Sequence, residues 1–377
     1  MPARRIERIV LTLIVVLGIG LRAWGLRFGL PDDFARPDEE KIVGPALAML
    51  RGDLNPHLFL YPSFFTYITA CAYAIQFGAE RISGMTSALD DFVAQATVDP
   101  STALLLARWL AAAAGVGTIL VLYGAVREWL SERAALIAAA FCAVAFLHVR
   151  DSHFGVTDVP VTFLTVCAFW AGVRCATRGV TTKRVALAGV IAGLAASTKY
   201  NAALILLPLV IVLGTDATLL KRGWLHLGGA VALLGTCAAL AFLVGTPYAL
   251  LDRATFLHDF SVQERTALGT FHTIILDAAR RAVGERGWIH HFTFTLRYGV
   301  GIPLLVAAIA GTGWLAVTRP RTAIIALSFP VAFYIVMGAS QLVYARWLVP
   351  TVPFVCLAAA VFVDTVVDAV ARLFGTW

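Results

Sequence analysis

The chain is short of charge. Asp, Glu, Lys and Arg make up 14% of its 377 residues, where soluble domains carry about a quarter. Hydrophobic residues reach 59% and the mean hydropathy is +0.81, which excludes a water-soluble protein and defines an integral membrane protein. No long polar block interrupts the apolar stretches, so residues 1–377 read as a single domain without a separate soluble part. No C-x-x-C or His-paired spacing links Cys71, Cys142, Cys167, Cys175, Cys237 and Cys356. They therefore say nothing about zinc or redox chemistry. The amino terminus, with Arg4, Arg5 and Arg8, opens like a signal peptide, but no small-residue cleavage pattern follows. It reads as a retained first span with a cytoplasmic basic end. Internal repeats and low-complexity runs are missing too.

The formal net charge of +7 would suggest nucleic acid in a soluble protein. Here the basic residues fall in short loops between apolar segments, as topology signals do, and no nucleic-acid partner is expected. The expected fold is an all-α integral membrane protein of about ten transmembrane helices. Apolar length places them at Ile9–Trp24, Ala103–Val126, Ala134–Val149, Val159–Ala176, Val185–Ser197, Ala202–Gly214, Leu225–Gly245, Val300–Val317, Ala323–Gly338 and Trp347–Val367. Tyr61–Phe77 is apolar and aromatic but opens on Tyr-Pro-Ser, and could span or lie at the interface. If it lies on the outer surface as an interfacial helix, Arg127, Arg133, Arg174 to Arg184, Lys221 with Arg222, and Arg319 with Arg321 all share the side of the basic amino terminus. That choice puts the remaining polar segments on the outer face, including the long interruption Leu251–Arg297, read as helix and loop packed there.

Against this apolar background the charged residues stand out. Arg36-Pro-Asp38-Glu39-Glu40-Lys41 follows the first span, and acids crowded beside a membrane can supply a general base or hold a divalent cation. The plain alternative is solvated interfacial charge, which fits Glu40 and Lys41 best. The second outer loop carries Arg150, Asp151, His153 and Asp158; Asp158 could also simply cap the next helix, and the spacing alone identifies no metal site. Lys199, followed by Tyr200 and Asn201, joins two short apolar stretches and calls for an anion such as phosphate, unless it snorkels to lipid headgroups. Arg346, before the last span, offers a bidentate fork to phosphate.

In this order the chain resembles the GT-C superfamily of membrane glycosyltransferases, in the branch of the protein O-mannosyltransferases and the lipid A aminoarabinose transferase. The carriers are Pro37-Asp38-Glu39, Tyr61-Pro62-Ser63-Phe64-Phe65, Ala107-Arg108-Trp109, His153 to Asp158, Gly193 to Asn201 around Lys199, Thr246-Pro247-Tyr248, and Arg346 to Pro353. Each is short, and the ordered set is specific. The resemblance implies inverting transfer of a sugar from a polyprenyl-phosphate donor to an acceptor hydroxyl on the outer face of the inner (cell) membrane. By it, Asp38 would be the base with Glu39 in support. Asp158, His153, Lys199, Tyr200, Tyr61 and Arg346 would bind substrate, with Lys199 and Arg346 on the donor phosphate. No metal is assigned; Asp38 and Asp158 are the carboxylates that could take Mg²⁺ or Mn²⁺. The partners implied are the lipid-linked donor, a lipid, glycan or protein acceptor, and membrane lipid.

Two departures from the family pattern bear on the acceptor. Tyr-Pro-Ser lacks the second proline and the leading basic residue of the usual juxtamembrane element, and with no large carboxyl-terminal soluble domain expected, acceptor recognition would fall to Thr246–Arg297 or the membrane groove. A transporter or flippase of a lipid-linked or anionic solute would also place ionisable groups near membrane depth, but it would show repeated halves. A non-catalytic subunit of a membrane complex is the third reading, and intact Asp38, Lys199 and Arg346 argue against it.

Overall fold

The computed structural model describes residues 2–32, 35–268, 287–340 and 342–375, so part of the expected outer segment Leu251–Arg297 lies outside the described residues. Every regular element among the described residues is a helix. The first is α1 (Pro2–Ala23), followed by α2 (Glu40–Met49), α3 (Phe64–Ile82) and α4 (Leu89–Val98) in the first long connection. The bundle continues with α5 (Ser101–Trp129), α6 (Glu132–Val144), α7 (Phe146–Asp151), α8 (Asp158–Arg178) and α9 (Thr182–Ala196). A 3₁₀ turn, Tyr200–Ile205, leads into α10 (Leu206–Gly214), then α11 (Ala217–Arg222), α12 (Trp224–Gly245), α13 (Tyr248–Leu251) and α14 (Arg253–Leu268). The last described part holds α15 (Gly287–Val300), α16 (Ile302–Thr318), α17 (Pro320–Gly338), a 3₁₀ stretch at Ala345–Thr351, and α18 (Val352–Leu373).

Among the described residues five helical runs are long and apolar enough to cross a membrane: α5, α8, α12, α17 and Ala345–Leu373. A sixth candidate is α15 with α16, bent by 112° at Gly301, whose φ of +85° suits a residue without a side chain. The protein is a multi-pass membrane protein. The expected number of about ten is reached only by counting α1, α6, α9 and α10, which are shorter or more charged. α3 has 19 residues but is not among the helices long and apolar enough to cross a membrane.

Short helices persist because they pack against neighbours. α9 lies against α12 so closely that a Cβ at Gly189 would come within 2.6 Å of the Leu234 carbonyl, and one at Gly193 would strike the Ala238 carbonyl. Small residues let backbones approach where hydrocarbon supplies no hydrophobic drive between helices.

One expected span is divided. Ala134–Val149 reads as a continuous apolar run, but the backbone leaves the helix at Ala145 (φ −59°, ψ 112°) and restarts as α7. The break exposes carbonyls of α6, and the fully buried Arg22 of α1 caps them, donating to Ala143 O at 3.0 Å and Cys142 O at 3.1 Å. It also reaches His148 Nδ1 at 2.8 Å.

Charged groups collect at the two ends of the bundle. At one end Arg127 pairs with Glu7 and Glu132, Arg178 with Glu128, and Arg133 with Asp364 and Asp368. At the other end meet the tail of α1, the loops before α8 and after α9, the end of α12 and the start of the last span. Thr246 Oγ1 accepts from Ser63 N–H and bonds Ser197 Oγ, tying the start of α3 to the ends of α9 and α12.

Candidate active site

Asp38 sits where that second end converges. It holds the left-handed conformation, φ +71°, an uncommon state that Asp tolerates better than most residues and that tends to mark functional sites. The twist separates its side chain from that of Glu39. Asp38 faces a cluster assembled from the whole chain: Lys41 bonds Oδ1, Arg346 bonds Oδ2, and the Tyr61 hydroxyl donates to Oδ2 at 3.0 Å. Only 13% of the Asp38 side chain remains exposed. Burial alone would raise its pKa, but Arg346 and Lys41 outweigh it and hold the carboxyl below its ordinary value. Tyr61 moves the other way, well above its ordinary value, because burial dominates and the Asp38 charge adds to it.

Next to this group lies a second ion pair. Lys199 Nζ contacts Asp158 Oδ1 at 2.5 Å, with both residues buried. Asp158 opens α8 without capping it, and its Oδ2 is buried with no hydrogen-bond partner among the described residues. Its charge is felt at Tyr61 and at Arg346, which joins the two pairs into one electrostatic unit. Asp151, 1% exposed, belongs to it as well: Arg150 donates to both of its oxygens, at 3.0 and 2.8 Å. Burial, with Asp158 adding to it, pushes Asp151 up to about 7 despite Arg150.

Three expected site residues are placed elsewhere. Glu39 is fully buried and turned away from Asp38 into a fork with Arg108, with Nε to Oε1 at 2.8 Å and Nη2 to Oε2 at 2.5 Å. Gly155 N–H donates to the same carboxylate at 2.7 Å, and Arg108 Nη1 donates to the Leu26 and Phe28 carbonyls. Glu39 therefore locks the α1 tail, α5 and the α7–α8 loop together around Asp38. The ring nitrogens of His153 face the carbonyls of Val149 and Trp24, at 2.8 and 2.6 Å, not the acids. Tyr200 donates to Phe59 O at 2.9 Å and packs against Phe256 and Phe260, so it holds the segment that carries Tyr61 without reaching the cluster itself.

The two carboxylates that could take a metal are each bound to a cation, and no group of three His, Cys, Asp or Glu converges among the described residues.

Lys41 and Asp151 were the site members hardest to see in the sequence. Lys41 stands three residues after Asp38 at the start of a helix, a spacing that brings side chains together. Exchanging Lys41 for Gln removes one of the two cations that keep Asp38 acidic. The acidic limb of the pH–rate profile is then expected to move to higher pH, with activity at alkaline pH little changed. A profile that overlays the parental one would show that Lys41 does not act on Asp38.

The model of the family described as dolichyl-phosphate-mannose-protein mannosyltransferase matches residues 101–242, from α5 into α12. No curated protein matches the chain. Among solved structures, Archaeoglobus fulgidus AglB, an archaeal oligosaccharyltransferase in complex with an inhibitory peptide and a dolichol-phosphate, aligns with a TM-score of 0.65 at 15% identity. It covers 99% of this chain and 52% of its own. ArnT from Cupriavidus metallidurans bound to undecaprenyl phosphate aligns with a TM-score of 0.65 at 17% identity, over 94% of this chain and 60% of its own. The fold is that of the GT-C glycosyltransferases. The chain thus spans between half and two thirds of the length of these structures. Within the GT-C fold Asp158 and Lys199 fall inside the stretch matched by the family model, whereas Asp38, Tyr61 and Arg346 fall outside it. The resemblance read from the sequence holds at the level of architecture.

Proposed function

We propose that the protein is an inverting glycosyltransferase that moves a sugar from a polyprenyl-phosphate donor to an acceptor hydroxyl of a lipid, glycan or protein. One observation carries this reading. Asp38, near the amino terminus, and Arg346, ahead of the last span, share one largely buried site with the Asp158–Lys199 pair. A carboxylate beside several cations, at one end of a membrane bundle, suits displacement of a lipid phosphate. Dolichol-phosphate and undecaprenyl phosphate, held by the two matched GT-C structures, are both phosphates of polyprenols.

The donor phosphate docks on Arg346 and Lys199, which then share their charge between it and the acids they bind at rest. As Arg346 turns to the phosphate, Asp38 loses a charge that kept it acidic, and its basicity rises when a base is needed. Asp38 takes the proton of the acceptor hydroxyl. The oxygen attacks the anomeric carbon from the face opposite the phosphate, and the bond from that carbon to the phosphate oxygen breaks with its electron pair going to the leaving group. The products are the inverted glycoside and the polyprenyl phosphate, with the proton left on Asp38.

The basic clusters at the far end of the bundle, Arg127, Arg133, Arg174 and Arg178, favour a cytoplasmic position for that end and for the amino terminus. The site then opens on the outer face of the cell membrane. Purified protein given a panel of polyprenyl-phosphate sugars and acceptors is expected to release polyprenyl phosphate and form a glycoside of inverted anomeric configuration. Lipid crossing the bilayer with no sugar released from any donor would overturn the assignment in favour of a flippase.

A further inference from the structure

A concave site lies in the long connection between α1 and α5, away from the Asp38 cluster. A cavity of about 180 Å³ opens between the second half of α3, the turn at Met85 and Thr86, α4 and the start of α5. That is room for one pyranose ring, or for about six waters at ~30 Å³ each. Gln76, which faces it, stands twelve residues along α3 from Phe64, or about 18 Å at 1.5 Å per residue. The catalytic groups are at the Phe64 end.

The lining has a definite chemistry. Glu80 is fixed on one wall, its Oε1 accepting from Gln76 Nε2 and its Oε2 from Thr86 Oγ1, both at 2.8 Å. The remaining oxygen of that amide, Gln76 Oε1, is buried with no partner among the described residues. Phe92, 6% exposed and braced by Phe77 at a ring separation of 5.6 Å, lies among the lining residues. Gln95 and Asp99, both exposed, line it as well. No Lys or Arg is among the lining residues, so the site does not suit phosphate or another anion.

Planar amides and carboxylates beside an aromatic ring match a ligand with hydroxyls on its edge and C–H groups on its face. We propose that this cavity binds a neutral pyranose sugar, with a ring hydroxyl donating to Gln76 Oε1, neighbouring hydroxyls shared with Glu80 and Gln95, and the apolar face on Phe92. The proposal rests on the lining and stands whether or not the Asp38 cluster transfers sugar.

The test uses the full chain in lipid nanodiscs and saturation-transfer difference NMR with methyl glycosides of mannose, glucose, galactose and glucosamine. Saturable transfer to ring C–H protons of at least one glycoside is expected, unaffected by undecaprenyl phosphate. Gln76→Leu is expected to weaken it by about tenfold, the effect of losing a buried hydrogen-bond partner. Gln95→Leu, at an exposed position, is expected to weaken it in the same direction. Four results overturn the site: no saturable transfer to any glycoside, which leaves water alone; wild-type binding by both variants; a preference confined to glucosamine, which marks an amine site; or loss of signal on adding undecaprenyl phosphate, which places the sugar in the catalytic cleft.

Discussion

Asp38→Asn is expected to lower sugar transfer by two to four orders of magnitude, the range of about 10²- to 10⁴-fold that a positioned general base supplies. The substitution preserves shape and removes the capacity to take a proton. Binding of polyprenyl phosphate should survive and tighten, because Arg346 and Lys41 lose the carboxylate that occupies them at rest. Single-turnover transfer measured beside lipid-phosphate binding separates the two effects. Parental turnover in the variant would dismiss Asp38 as the base, and loss of both transfer and binding would show instead that the site had collapsed.

The largest expected effect on stability comes from a residue that touches no substrate. Arg108→Met strands the Glu39 carboxylate at zero exposure, with Gly155 N–H as its remaining partner, and frees two carbonyls in the α1 tail. Breaking a buried ion pair by removing one member costs about 3–5 kcal/mol, since the surviving charge has neither water nor counter-ion. Arg108→Lys should recover little, because an ammonium cannot reproduce the fork that meets both carboxylate oxygens. The double variant Arg108→Met with Glu39→Gln should recover part of the loss: it removes the stranded charge and keeps an oxygen for Gly155. Thermal unfolding in detergent reads all three, and a parental midpoint for Arg108→Met would refute the locking role of Glu39.

How much of this was legible in the sequence depended on the range of the interaction involved. The membrane class and most helix positions follow from apolar runs and the scarcity of charge, which are local properties. The break at Ala145 was not legible, because nothing in Val-Ala-Phe announces it and the group that satisfies the freed carbonyls, Arg22, lies 121 residues away from Ala143. Asp38, Tyr61, Asp158, Lys199 and Arg346 could be picked out because ionisable or hydroxyl-bearing groups beside apolar spans are rare and therefore conspicuous. Which carboxylate faces which cation could not. Asp38 and Glu39 are neighbours in the chain, yet one turns to Arg346 and the other to Arg108, a division set by the left-handed backbone at Asp38 and visible only in three dimensions. Arg108 offered a signal of its own, a guanidinium within the apolar run of a 29-residue helix and well away from Arg127 in its last turn, where a partner is close to obligatory.

The meeting of Asp38 with Arg346 spans 308 positions, and that distance orders events during synthesis. Helices entering the bilayer from the amino terminus bring in the acid first, then Tyr61, Asp158 and Lys199, while the Arg346 guanidinium arrives only with the final span. Until then Asp38 has only Lys41 of its two cations, and Lys199 is the only one of the two cations of the proposed phosphate site in place. On the proposed reaction, a nascent chain is inactive until the segment that carries Arg346 seats against the α1 tail.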